Sequence, residues 1–415
     1  MQSAHLYHGA NHRIVRQRNR AMIFQAIRAL GPVARADLAR RTGLNAATIT
    51  NIVDELIAAG LVYETGQGMS RVGRKPISLE VNPSARFTVG IDLARAAITG
   101  AIVDLSGKIV DSINESAGPW LSSEIVYSTV VRMIERLLDR LSPAERAAVI
   151  GIGIGAPGPL SIRSGRFLGP PSFGVWDDLA LQAAVEAHFH LVTHVDNNGN
   201  TSALAELWFG AGQGIENFVL LNLGTGVGAG LVLDGDLYRG EHDLAGELGH
   251  VSINADGPRC ACGNYGCLEM YVSVPRVLAA VQAALATGEP SALRAMRGTG
   301  GGMNVAMLIA AARSDDPLAM RVFADTARAL AAGIVSIVHA FDPQLILIGR
   351  ELSHAGDLLI PPVRAEVRRR VFPALRDSIR IEAAALPDAP VIGAATLALR
   401  EFFHAPLADR AAVVA

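Results

Sequence analysis

The sequence predicts a two-lobed α/β body preceded by a winged helix-turn-helix. A strand-turn-strand pattern occurs twice, 130 positions apart: DLARAAITGAIVD at 92–104 returns as NLGTGVGAGLVLD at 222–234, matching Leu93 to Leu223, Gly100 to Gly230 and Asp104 to Asp234. An internal duplication of this kind implies two related lobes, with ligands held in the crevice between them at strand ends. Charge is divided as well. Residues 1–80 hold 11 Lys/Arg against 5 Asp/Glu, a net of +6, and the remainder is at −8. A basic segment on an acidic body points to a nucleic-acid-binding module joined to different machinery. At 415 residues the chain exceeds one ordinary core, so two or three domains are expected. No uninterrupted apolar run is long enough to cross a bilayer, and the start MQSAHLYHGANHR lacks the apolar core of an export signal, so a cytoplasmic location without membrane contact is expected.

Arg20 to Ala29 reads as a helix with Met22, Ile23, Ala26 and Ile27 on one face, stopped by Gly31-Pro32. Arg35 to Arg41 is a second helix with Leu38 and Ala39 inward, and Thr42-Gly43-Leu44 is a tight turn. Asn45 caps a third helix that runs to Ala59 and ends at Gly60, with Ile49, Ile52, Val53, Leu56 and Ile57 as its apolar stripe. Asn45, Ala47, Thr48 and Asn51 lie near its start on the other side, where small and amide side chains suit base edges. This is the helix-turn-helix arrangement, whose second helix enters the major groove by its N-terminal residues. Leu61–Glu64 and Ile77–Val81 alternate as two strands, and the loop TGQGMSRVGRKP between them carries Arg71, Arg74 and Lys75, a cationic wing tip for phosphate or minor-groove contact. Helical triads with a hairpin also serve as dimerisation modules. Charge, turn and wing together favour operator DNA. Asn82-Pro83 marks the boundary, giving a domain at 1–82.

In the body, Ile125–Leu138 and Pro275–Ala286 are helical by period, Pro290–Asn304 with its run GTGGGM reads as a surface loop, and Ala306–Phe341 reads as one long helical stretch. The two copies differ in their turns. Gly224, Gly226, Gly228 and Gly230 leave backbone amides open to an anion, whereas the first copy has Ala94, Arg95, Ala96 and Ile98 ahead of Gly100. Tight strand packing explains the second set of glycines equally well.

All three cysteines, Cys260, Cys262 and Cys267, fall within eight positions, and His250 precedes them by ten. Three thiols and an imidazole form a Cys₃His set of the kind that closes a structural zinc site. A disulfide would leave one sulfur over, and three free buried thiols are the bland alternative. Glu247 and Glu269 flank the cluster; a filled tetrahedron does not need them, so they are free to face something else.

These residues carry a family resemblance. GIGIGAPGP at 151–159, VDNNGNTSALAE at 195–206, LNLGTGVGAG at 221–230, GELGH at 246–250 and CACGNYGCLE at 260–269 resemble the ROK (repressor, open reading frame, kinase) family, in its subset with an N-terminal winged helix-turn-helix. The resemblance implies an actin-like, hexokinase-type duplicated fold, with a first lobe at 83–196 completed by a returning helix at 391–403 and a zinc-bearing second lobe at 197–390. It implies sugar hydroxyl contacts at Asn197, Glu247, His250 and Glu269, a structural zinc beside them, and a homodimer or homotetramer. Trp176 in FGVWDD resembles a cleft-edge ring that stacks on sugar; a buried anchor is the other reading.

The departures matter as much. The family's sugar kinases have Asp where this chain has Asn198, and an amide cannot act as general base. The first phosphate loop reads DLARAA at 92–97, without glycines, and the nucleotide-side loop is Leu347-Ile348-Gly349-Arg350-Glu351-Leu352. Asp196 is two positions away on an alternating strand end, badly placed to substitute. The expectation is therefore a sugar-responsive repressor of carbohydrate-utilisation genes that binds operator DNA and is not an enzyme. A sugar kinase with an attached DNA-binding module is the alternative, and control by a partner protein without a small ligand is a third reading. The tail at 405–415 is free to touch the DNA-binding module, though nothing in its residues requires it.

Overall fold

A computed structural model describes residues 12–67, 77–94, 97–116, 123–162, 166–168, 180–296 and 302–404. The wing tip with Arg71, Arg74 and Lys75, the pair 95–96, the loop with Trp176, most of the GTGGGM run and the tail beyond 404 lie outside them.

The N-terminal unit comprises α1 (His12–Leu30), β1 (Val33–Ala34), α2 (Arg35–Thr42), α3 (Ala46–Ala58), β2 (Val62–Gln67) and β3 (Ile77–Val81). Helix α1 starts at His12 rather than Arg20, and it buries Ile23, Phe24 and Ile27 while Met22 faces solvent, contrary to the expected stripe. Leu38, Ile49, Ile52, Val53 and Leu56 complete the core as expected. Gly43 ends α2 at φ 70°, a left-handed turn that its missing Cβ permits. Strand β1, not foreseen, joins the wing to give the order β1-β3-β2.

The body opens with β4 (Phe87–Leu93), β5 (Ala97–Asp104) and β6 (Ile109–Ser116). Then come α4 (Ser123–Leu138), α5 (Pro143–Ala147), β7 (Val149–Ala156), the hairpin β8 (Leu160–Ser161) and β9 (Arg166–Phe167), α6 (Leu181–Phe189), β10 (Thr193–Asn197) and α7 (Asn198–Phe209). The second half has β11 (Phe218–Leu223), β12 (Val227–Leu233), β13 (Asp236–Leu237), α8 (Glu269–Val272), α9 (Val274–Ala286), α10 (Leu293–Met296), α11 (Val305–Arg313) and α12 (Pro317–Phe341). It closes with β14 (Leu345–Gly349), α13 (Ile360–Arg370), β15 (Arg380–Ala383) and α14 (Ala389–His404).

The two large sheets are topological copies. Their orders are β10-β7-β4-β5-β6 and β15-β14-β11-β12-β13, each an antiparallel three-strand meander extended by two parallel strands. The 130-residue offset superposes β4 on β11 and β5 on β12. Helices α4 and α6 cover one face of the first sheet, and α8, α9, α11 and α12 cover the second. Helix α14 returns to the first sheet as expected. Gly153 of GIGIG makes room for it: a Cβ there would lie 1.7 Å from the Ala394 carbonyl oxygen.

Two expectations need correction. The stretch Ala306–Phe341 is two helices, because the Asp316 carboxylate accepts the Ala319 N–H at 3.0 Å as an N-cap and Pro317 has no N–H to continue α11. The Pro290–Asn304 loop contains α10, anchored by the buried Leu293 and by the Ala292 N–H on Asp316 at 2.7 Å. Helix α12 is long and apolar enough to cross a membrane, yet 56% of its apolar window is buried inside the second lobe.

The winged unit is fastened to the body through α1. Arg20 donates to the Phe403 carbonyl at 2.6 Å, Phe24 stacks on Phe403 with centroids 4.1 Å apart, and Arg28 donates to the Trp208 carbonyl while lying 4.4 Å over the Phe209 ring. Both guanidinium groups therefore meet carbonyl ends of helices, α14 and α7, where the helix dipole favours a cation. Burial pulls Arg28 down to about 10, a measure of how dry that joint is.

Candidate functional site

The four expected metal ligands come together. His250, Cys260, Cys262 and Cys267 place their ligand atoms within 4.8 Å of one another. His250 Nδ1 is 3.6 Å from Cys260 Sγ, and Cys262 Sγ is 3.7 Å from Cys267 Sγ. Tetrahedral zinc with bonds of about 2.3 Å to sulfur and 2.0 Å to nitrogen separates two sulfurs by about 3.8 Å and sulfur from nitrogen by about 3.5 Å, so the set fits that ion. All three cysteines are free thiols. Burial, reinforced by the neighbouring thiols, pushes Cys267 up to about 12, so joint ionisation needs a cation among them. The loop is shaped by backbone as well: Gly266 sits at φ 62°, and a Cβ there would lie 1.7 Å from the Asn254 carbonyl oxygen.

Next to this cluster, a cleft of about 280 Å³ separates the lobes, and Asn197, Glu247, His250 and Glu269 all line it. Each is set by a local device. Asn197 ends β10 and caps α7, accepting the Gly199 N–H at 2.7 Å and donating to Glu247 Oε1 at 3.4 Å. The ring of His250 turns Nδ1 to the thiols and Nε2 to the cleft, 4.0 Å from Glu247 Oε2. Glu269 starts α8 and accepts the Val227 N–H at 2.8 Å. Burial raises the Glu247 carboxyl above its ordinary range, with His250 opposing and Glu269 reinforcing.

Asn198, the first residue of α7, also lines the cleft, but Asp196 does not. Asp196 is 1% exposed and fully engaged: Arg239 donates twice to Oδ2, at 2.7 and 3.0 Å, and Oδ1 accepts from Asn200 and from the Asn197 N–H. On the far side of the cleft Arg350 of the second lobe reaches Asp92 of the first at 2.9 Å. Arg350 holds φ at 64°, unusual for a side chain of its size. Burial raises the Asp92 carboxyl while Arg350 opposes that shift.

Sequence reasoning missed Thr99, Asn114 and Asn222, which add polar groups to the wall. Thr99 and Asn114 are cross-strand partners on β5 and β6, and Asn114 donates to Thr99 at 3.3 Å. Only the register of that pair shows that they face inward. Gly230 of the second copy takes no part in a cradle: it abuts Gly199 of α7, where a Cβ would lie 2.5 Å from its carbonyl oxygen, whereas Gly228 lines the cleft.

On the winged unit, Asn45, Ala47 and Asn51 are exposed and Thr48 is half-buried. Asn45 accepts the Thr48 N–H at 2.8 Å, so its carbonyl caps α3 and only its amide N–H₂ faces outward. Arg35 pairs with Asp54 of this helix at 3.0 Å and with Glu64 of β2 at 2.6 Å.

Residues 88–401 match the family description ROK family, and residues 17–71 match the MarR family. The chain belongs to the ROK family. A xylose repressor of Caldicellulosiruptor bescii is 29% identical over 397 residues, covering 95% of this chain and 99% of that one. Among solved structures, a ROK family transcriptional regulator described as a homolog of the E. coli MLC protein has a TM-score of 0.78 at 30% identity, covering 96% of this chain and 99% of its own. A ROK family glucokinase from Streptomyces griseus, in complex with glucose and AMPPNP, has a TM-score of 0.68 at 31% identity and covers 76% of this chain and 99% of its own. The actin-like, hexokinase-type body after a winged helix is thus the architecture of this ROK protein; the regulator likeness spans nearly all of it, and the glucokinase likeness spans 76% of the chain.

Proposed function

We propose that the chain is a sugar-responsive transcriptional repressor of carbohydrate-utilisation genes and carries out no phosphoryl transfer. Its working parts are a reader at 1–82, a first lobe at 83–196 completed by 391–403, and a second lobe at 197–390. The observation that carries the proposal is the course of α7. It starts in the cleft with Asn197 as its cap and ends at Trp208 and Phe209, which hold Arg28 of the winged unit. Twelve helical residues span about 18 Å as one rigid rod. A sugar that binds the closed cleft more tightly shifts lobe closure, α7 carries the shift to α1, and in a homodimer or homotetramer the spacing of two α3 helices on operator DNA changes.

Asn197, Glu247, His250 and Glu269 offer donors and acceptors to paired sugar hydroxyls. His250 Nδ1 and the thiolates of Cys260, Cys262 and Cys267 would hold zinc, which supplies a rigid anchor for the loop and leaves no open coordination position. Asn45, Ala47, Thr48 and Asn51 would face base edges, with Arg71, Arg74 and Lys75 on phosphate or minor groove.

The glucokinase likeness favours a second reading, a sugar kinase with a DNA-binding module. Against it stand the amide of Asn198, the engagement of Asp196 by Arg239, and the Asp92–Arg350 pair across the nucleotide side. One experiment separates the readings: DNA-binding anisotropy on the promoter region of the protein's own gene, with a sugar panel, beside an ATP-consumption assay with the same sugars. The repressor reading expects a sugar-dependent change in DNA affinity of about 5–150-fold and background ATP use. ATP turnover abolished by Asn198→Ala would establish the kinase instead, and calorimetry without heat from any sugar would point to a protein partner.

A further inference from the structure

We infer that the effector is an uncharged, unphosphorylated sugar, a conclusion that rests on the sugar-site reading above. Among the described residues lining the cleft, Asp92, Glu247, Glu269 and Glu351 are acidic, and Arg350 is the only Arg or Lys. Arg350 is already paired: its Nη2 lies 2.9 Å from Asp92 Oδ2, and Asp92 is 4% exposed. The imidazole of His250 faces the thiols through Nδ1 and Glu247 through Nε2. Zinc in the cluster would not reverse the balance, since three thiolates outweigh a divalent ion by one charge.

The glycine turn after β11 is where an anion would find backbone amides, but carboxylates stand at both ends of it. Glu351 Oε2 lies 2.7 Å from the place a Cβ of Gly224 would occupy, and Glu269 Oε2 lies 2.7 Å from that of Gly226. The Val227 N–H is bonded to Glu269 at 2.8 Å and the Gly224 N–H to the Gly226 carbonyl at 3.0 Å. The protein's own carboxylate thus fills the anion position. A phosphate ester, carrying about −1.5 to −2 at neutral pH, would meet like charge there in a partly desolvated cleft. Hydroxyl groups do the reverse, donating to carboxylates and accepting from Asn197 and Asn198.

The test is titration calorimetry on the zinc-loaded full chain with D-xylose, D-glucose and N-acetyl-D-glucosamine, and in parallel with xylose 1-phosphate, glucose 6-phosphate and N-acetylglucosamine 6-phosphate. At least one free sugar is expected to bind, with its phosphate ester weaker by about 100-fold or more. In Glu351→Gln, checked by thermal melt to be folded, that ratio should narrow to about 10-fold. An ester that binds as tightly as its parent sugar overturns the inference and leaves the sugar-site reading standing; an unchanged ratio in Glu351→Gln also overturns it. Heat from none of the six compounds overturns the sugar-site reading, and the inference with it.

Discussion

At the scale of single residues, the Cys₃His loop ties its chemistry to its neighbours most tightly. Cys267 is fully buried, its thiol also reaches the His250 carbonyl at 3.4 Å, and residue 267 bridges to Ser252. Cys267→Ser is expected to lower bound zinc from about one ion per chain to near zero by elemental analysis and to weaken sugar binding by about 10–100-fold. Gly266→Ala tests the backbone instead, because its Cβ would strike the Asn254 carbonyl; a loss of about 2–4 kcal/mol in denaturant unfolding is expected. The clustering of these four side chains was legible in the sequence because they are local, four groups within eighteen positions. Asn114 was not, because its place in the wall depends on pairing with Thr99 of another strand. Asp92 and Arg350 lie 258 positions apart, and no local pattern joins them. Their pairing leads to a further prediction. Asn198→Asp places a carboxylate in the cleft, yet on the repressor reading ATP consumption should stay at background, because one base leaves the Asp92–Arg350 pair in place across the cleft.

Helices and strands were read best where one signal controls their ends. Helix α3 starts after its Asn45 cap as expected and ends at Ala58, one residue short of the expected Ala59; of its stripe Ile49, Ile52, Val53 and Leu56 are buried and Ile57 is half-buried. Asn45 and Asn51 look alike in the sequence but differ in the structure. Asn45→Ala removes a cap and should cost about 1 kcal/mol of unfolding free energy. Asn51→Ala should leave stability within about 0.5 kcal/mol while weakening operator binding by about 1–3 kcal/mol in anisotropy titrations. Boundaries were misread where tertiary contact sets them. Helix α1 runs back to His12, where its Arg16 pairs with Glu55 of α3, and the run Ala306–Phe341 breaks because Asp316 is drawn to Ser291 and Ala292 across the loop. SDDP at 314–317 is itself a stop-and-cap signal that the apolar period obscured.

For the molecule as a whole, duplication explains the cleft, and the joint between reader and body explains how the cleft can matter to DNA. One apolar cluster runs from Ile23, Phe24 and Ile27 of α1 through Phe402 and Phe403 of α14 to Trp208 of α7 and Phe218 of β11. The winged unit therefore cannot tumble freely; it follows α7 and α14. Arg28 is the polar link from that joint to α7, donating to the Trp208 carbonyl and lying over Phe209, at the end of α7 opposite Asn197. Arg28→Met keeps much of the apolar stem and deletes both the hydrogen bond and the cation–π contact. If closure of the cleft reaches the DNA through α7, this variant should bind sugar as the parent does by calorimetry, because the substitution lies at the far end of the helix. It should also still bind operator, because α3 is untouched. What it should lose is the connection: the sugar-dependent change in operator affinity, about 5–150-fold in the parent, should shrink to about twofold or less. A variant that keeps the full response would show that the signal travels by α14 and Arg20, and the matching Arg20→Met protein would then carry the loss.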